Sequence, residues 1–100
     1  MNNYSVEWAE PALSDLDAIS DFLIEQEEDF QIVNEMVSRI IQAPEQLSSL
    51  PWSGKPGRVS NTRELQVQKT RYALVYAVTG TTVFILRVIH SSRLFPPISE

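Results

Sequence analysis

His90 is the one histidine of the chain, and there is no cysteine. A histidine near neutral pH can protonate a leaving oxygen or accept a proton, so acid–base chemistry, if the chain performs any, falls to His90. The arginines that could meet an acidic target are Arg58, Arg63, Arg71, Arg87 and Arg93. Arg58, just after Gly57, and Arg93, near the C-terminus, are expected to be exposed and are the first candidates for target contact. Arg63 shares the core-facing register of Leu65, so it is expected to anchor a sheet end or to pair with a helix carboxylate. Arg87 lies between Ile85 and Ile89, where a guanidinium must be paired or must reach water, and a structural ion pair is expected. Without cysteine, and with a lone histidine, neither a disulfide framework nor a thiolate or histidine metal cluster can be built. No metal and no cofactor is expected.

The charge is unevenly placed. The net charge is −5 over 100 residues. Residues 1–54 carry one basic side chain, Arg39, against eleven acidic ones, whereas residues 55–100 carry seven basic side chains against Glu64 and Glu100. The halves therefore differ in sign, −10 against +5, and the C-terminal half is expected to meet an acidic partner or target. The acids of the first half read as the solvated faces of helices. Nowhere do about eighteen apolar residues run together, and no leader pattern opens the chain, so a cytoplasmic protein with no membrane contact is expected.

The elements that must position these groups are legible from periodicity. Tyr4-Ser5-Val6-Glu7-Trp8 alternates as a short strand, and Pro11 suits the first turn of a helix. Leu13, Leu16, Ile19, Phe22 and Leu23 recur at helical spacing, with Asp15, Asp17, Asp21 and Glu25 assigned to the opposite side. A second stripe, Phe30, Val33, Met36, Val37, Ile40 and Ile41, follows so closely that the two helices form a hairpin, and Pro44 ends or kinks the second helix. Leu47 and Leu50 continue the stripe as one more turn. Pro51, Gly54, Pro56 and Gly57 mark a loop, with Trp52 as its exposed aromatic. Residues 63–68, 72–78 and 82–89 then read as three strands in series, with Gly80 at the last turn. Trp8, Tyr72 and Tyr76 are expected to fill the core or line a groove.

This order predicts one α+β domain over residues 1–100, β-α-α-β-β-β, with a mostly antiparallel four-stranded sheet and the helical hairpin on one face. One helical hairpin cannot fully bury the apolar strands, so exposed apolar surface is expected on them. If Gly80-Thr81 forms a type II′ loop, paired residues of the last two strands have numbers summing to 161. That register sets Arg71 opposite His90, Ala73 opposite Val88 and Val75 opposite Leu86.

Three segments carry a resemblance: Thr62-Arg63-Glu64-Leu65-Gln66-Val67, Tyr72-Ala73-Leu74-Val75-Tyr76-Ala77-Val78 and Val83-Phe84-Ile85-Leu86-Arg87-Val88-Ile89-His90. With Trp8-Ala9-Glu10-Pro11-Ala12-Leu13 and Asp15-Leu16-Asp17-Ala18-Ile19 they resemble the toxins of the RelE/ParE superfamily of type II toxin–antitoxin systems. The resemblance implies a toxin held in a hetero-oligomer with a cognate antitoxin. It also implies one of two targets, DNA gyrase for ParE-type members or mRNA on the ribosome for RelE-type endoribonucleases, and fold alone does not choose between them.

The chain departs from the nuclease pattern where chemistry would sit. Glu64, Gln66 and Gln68 stand on the solvent side of the first meander strand, where RelE-type nucleases place lysines, and Ala73 follows Tyr72 where they place arginine. A carboxylate repels phosphate, and an alanine stabilises no developing charge. Both features, and the acidic net charge, favour the ParE branch. The ending His90-Ser91-Ser92-Arg93-Leu94-Phe95 is similar, offset by one residue, to the tail of YafQ-type nucleases. Under the nuclease reading His90 and Arg71 are the catalytic candidates; His90 is read first as structural or partner-contacting, because a catalytic site needs more than one group.

Overall fold

The computed structural model describes residues 3–26 and 29–91. Along the chain lie β1 (Ser5–Trp8), α1 (Glu10–Glu25), α2 (Phe30–Gln42), α3 (Glu45–Ser49), β2 (Lys55–Pro56), β3 (Arg63–Gln66), β4 (Tyr72–Thr79) and β5 (Thr82–His90). The strands form one sheet in the order β1-β5-β4-β3-β2. Strands β2 to β5 pair antiparallel, and β1 adds to β5 in parallel. The fold class is the expected one, but the sheet has five strands rather than four. The extra strand is only Lys55–Pro56 at the outer edge, the one place where proline's missing N–H costs no ladder bond.

Helix α1 starts with Pro11 in its first turn and Glu10 beside the positive end of the helix dipole. Asp29 caps α2, its side chain accepting from the Gln31 N–H at 2.7 Å. Helix α3 is the extra turn after Pro44; it buries Leu47, while Leu50 is exposed, so the stripe stops one residue-turn earlier than expected. Its Ser48 carbonyl accepts the Tyr4 N–H at 2.7 Å and fixes the approach to β1.

The inward stripe of α1 is Ala12, Leu16, Ile19 and Leu23, spaced i, i+4, i+7, i+11. Leu13 and Phe22, expected inside, are exposed. The helix is turned by about one residue from the expected face, and this turn brings Asp15 to the sheet instead of leaving it in solvent. The main core joins Ala12, Ile40 and Leu47 to Leu74, Tyr76, Val83 and Ile85. On the other face of the sheet Ala73, Val75 and Ile89 form a second, smaller buried cluster. Both faces of β4 are therefore buried, contrary to expectation. Among the described residues the large exposed apolar side chains are Leu13, Phe22, Ile24, Phe30, Ile32 and Ile41 of the helices, with Leu50 and Trp52.

The β4–β5 hairpin turns through Gly80, whose φ of 59° suits glycine, and Thr79 pairs with Thr82 as the 161 register requires. The register holds back to Tyr76 and Ile85. Between Val75 and Tyr76 it shifts, so that Val75 pairs with Arg87 and Leu86 is left as the extra residue of a β-bulge. Beyond the bulge Ala73 faces Ile89 and Tyr72 faces His90. The expected Arg71–His90 pair is thus dissolved; the Arg71 carbonyl accepts the Ser91 N–H at 2.7 Å instead. A bulge inverts the alternation of the strand. Val88 consequently takes the core face, Ile89 joins the second cluster, and Arg87 leaves the register of Ile85. No helix among the described residues is long and apolar enough to cross a membrane.

Candidate functional site

Each arginine singled out in the sequence has a different surrounding. Arg87 makes the expected ion pair: Nε and Nη2 donate to Asp15 Oδ2 and Oδ1 at 2.7 and 3.0 Å. The same carboxylate accepts the Val88 N–H at 3.0 Å, at the β5 edge that β1 no longer covers. The Asp15 hydrogen bond is the main reason that the Arg87 guanidinium is held above its ordinary pKa.

Arg63 pairs with no helix carboxylate among the described residues. Its Nη1 donates to the carbonyls of Gly54 at 2.6 Å and Trp52 at 3.2 Å, and its guanidinium lies 5.2 Å from the centre of the exposed Trp52 ring. Tyr76, opposite Arg63 in the register, donates its hydroxyl to the Pro51 carbonyl and accepts the Gly54 N–H, both at 2.9 Å. Burial pushes the Tyr76 hydroxyl above its usual pKa, against the smaller opposing pull of the Gly54 bond and of Arg63. A side chain at Gly54 would meet that hydroxyl at 2.6 Å, so only glycine fits. Arg63 and Tyr76 together pin the loop at 51–54.

Glu64 corrects the expectation of a solvent-facing carboxylate. It lies on the face away from the helices, as its alternation requires, yet it is 3% exposed. It accepts the Arg58 N–H at 3.0 Å and pairs with the Arg58 guanidinium at 3.2 Å. Arg58 is exposed, as expected, but its Nη2 also donates to the Ser91 carbonyl at 3.2 Å, so it ties the loop to the end of β5. Gln66, next on this face, donates to the Thr70 and Tyr72 carbonyls at 2.9 and 3.0 Å and accepts the Ser91 hydroxyl at 2.7 Å. Arg93 lies outside the described residues.

Arg71 and His90, though not opposed, share a cleft. It opens between the C-terminal end of α1 (Phe22, Leu23, Gln26), Met36 of α2, the β3–β4 turn (Lys69, Thr70, Arg71), Tyr72 and His90, and its volume is about 730 Å³. The His90 and Tyr72 rings meet edge to face, 5.5 Å between centres and 79° between planes. Lys69 holds a left-handed backbone with φ of 63° at the turn. Phe22, Met36 and Lys69 did not stand out in the sequence. The first two belong to an apolar stripe that reads as core, and no periodicity reports which residue of a turn takes positive φ.

The arrangement offers two cations and a histidine above an apolar floor, which suits an anion attached to an apolar body. His90, paired with Tyr72, lies on the helix-covered face of the sheet, and the opposite face carries the closed Glu64–Arg58 pair. Among the described residues no three histidine or carboxylate side chains are grouped to hold a metal ion.

Comparison with known proteins agrees with this geometry. Residues 6–95 match the family model described as the ParE toxin of the type II toxin–antitoxin system parDE. Y4kP of Sinorhizobium fredii, named as a candidate toxin, is 32% identical over 98 residues, covering 98% of this chain and 99% of that protein. Among solved structures, the chromosomal ParDE system of P. aeruginosa superposes with a TM-score of 0.78 at 25% identity, over 87% of this chain and 95% of the other. The RelBE2 toxin–antitoxin complex of Mycobacterium tuberculosis superposes with a TM-score of 0.55 at 28% identity, over 90% and 93%. With a five-stranded sheet, a helical hairpin and matches along nearly its whole length, the chain belongs to the ParE toxin family of type II toxin–antitoxin systems.

Proposed function

We propose that the chain is a ParE-like toxin that inhibits DNA gyrase by protein–protein contact in the cytoplasm and is neutralised by a cognate antitoxin in a hetero-oligomer. The observation that carries this reading is the buried Glu64. On the face away from the helices, where a RelE-like nuclease presents cations to RNA, this chain presents a carboxylate 3% exposed and already paired with Arg58. Phosphate approaching there meets a guanidinium already engaged by Glu64, and Gln66 and Ala73 beside it supply no further cation. The toxin–antitoxin assemblies among its structural relatives support the antitoxin as partner.

The test is a supercoiling assay with purified gyrase, relaxed plasmid and the chain released from its antitoxin, run beside a reconstituted translation reaction. Loss of supercoiling with intact mRNA is expected, and added antitoxin should restore gyrase. Codon-specific mRNA cleavage that disappears in His90→Ala or Arg71→Ala would overturn the proposal in favour of an endoribonuclease.

A further inference from the structure

The cleft lies beside the turn end of the helical hairpin, where α1 ends. Its rim carries Lys69 and Arg71, both exposed and neither in an ion pair among the described residues. Its floor is apolar and half open: Leu23 is buried, but Phe22 beside it is 47% exposed. Exposed apolar area next to unneutralised charge is an uncovered binding surface in a chain whose net charge is −5. The volume, about 730 Å³, lies within the range of about 300–1,000 Å³ in which pockets enclose a ligand-sized group.

We infer that this cleft receives an acidic, amphipathic segment of the cognate antitoxin. An apolar side chain of that segment lies against Phe22, Leu23 and Met36, and a carboxylate is held between Lys69 and Arg71. This rests on the antitoxin reading above and adds the place and the chemistry of the contact. Charge complementarity selects an acidic peptide, since two cations beside an apolar floor match one or two carboxylates on an amphipathic helix or strand. Nucleic acid is the poorer occupant. It draws its affinity from many neutralised phosphates, and Tyr72, at 7% exposure, is closed to base stacking.

The experiment measures binding of purified cognate antitoxin to the full chain at several salt concentrations. The variants are Lys69→Glu with Arg71→Glu together, Phe22→Ser, and Lys55→Glu as a control on the far edge strand. Lys69, Arg71 and Phe22 are exposed, so the variants should melt near the wild-type temperature. Reversing two charges should weaken binding by about 30-fold or more and flatten its salt dependence. Phe22→Ser should weaken it by about tenfold with the salt slope kept, and Lys55→Glu should change it by no more than about threefold. Undiminished antitoxin binding by the double variant would overturn the inference while leaving the antitoxin reading intact. So would loss of single-stranded oligonucleotide binding with antitoxin binding kept. A wild-type chain that binds no antitoxin would overturn both readings, and is distinguished by failing before any substitution.

Discussion

Asp15 and Arg87, 72 positions apart, are joined by both carboxylate oxygens, and the same carboxylate closes the exposed edge of β5 at Val88. One side chain of α1 thus does what another strand would do beyond the end of β1. Asp15→Ala leaves a partly buried guanidinium and an edge N–H without their acceptor. With side chains 17% and 33% exposed, water recovers part of the loss, and a destabilisation of about 2 kcal/mol is expected. Thermal melting should show this as a fall of roughly 10 °C. Arg87→Lys, which keeps the charge but not the two-pronged geometry, should lose about half as much. An unchanged melting temperature in Asp15→Ala would show the contact to be energetically idle.

Tyr76 makes the fold sensitive to alkali. Its hydroxyl is held above the ordinary value of 10.0, so the folded state keeps this proton more tightly than the unfolded state does. A raised pKa stabilises fully below the unfolded value and is lost as pH rises through the folded one. Stability at Tyr76 should therefore be flat up to about pH 10 and fall above it. Tyr76→Phe removes that slope. It also orphans the Gly54 N–H and the Pro51 carbonyl, at a cost of about 1–3 kcal/mol. Urea unfolding at pH 8 and pH 10.5 measures both effects; equal alkaline slopes in the two proteins would contradict the assignment.

Glu64 should behave as a structural residue. Glu64→Gln can still accept the Arg58 N–H and should lose about 1 kcal/mol. Glu64→Ala removes the only carboxylate facing Arg58 among the described residues and should lose about 2–3 kcal/mol. Neither should release mRNA cleavage in a translation reaction, because the Arg58 so freed is a single cation with neither Gln66 nor Ala73 able to act as acid or base beside it. Appearance of cleavage in either variant would mean that Glu64 masks a nuclease site.

The limits of sequence reading follow from the range of each signal. The helical hairpin, the meander and the turn at Gly80 come from periodicity and turn chemistry over several residues, and all are present. The ion pair of Arg87 was foreseeable because an arginine among isoleucines must be compensated. Its partner was not, since Asp15 reads as a solvent-facing acid until α1 is turned by one residue. The bulge at Leu86 moved His90 from Arg71 to Tyr72, and a leucine in an apolar strand carries no mark of being the unpaired residue. Glu64 was placed on the correct face and given the wrong environment, because alternation tells which side a residue takes and not what packs there. His90 and Arg71 met in one cleft by a route other than cross-strand pairing, and Lys69 joined them through a backbone angle that its identity does not announce.

The parallel pairing of β1 with β5 has a bearing on how the chain matures. Ser5 finds its partner only at Thr82, 77 positions later, and the β4–β5 hairpin stands between β1 and the rest of the sheet. A chain emerging N-terminus first therefore carries an unpaired opening strand until β5 has been made, and such distant closure is slow. The finished sheet exists only after the ribosome has made almost the last strand residue. The cleft at His90 is therefore completed only after both helices of the hairpin have been made.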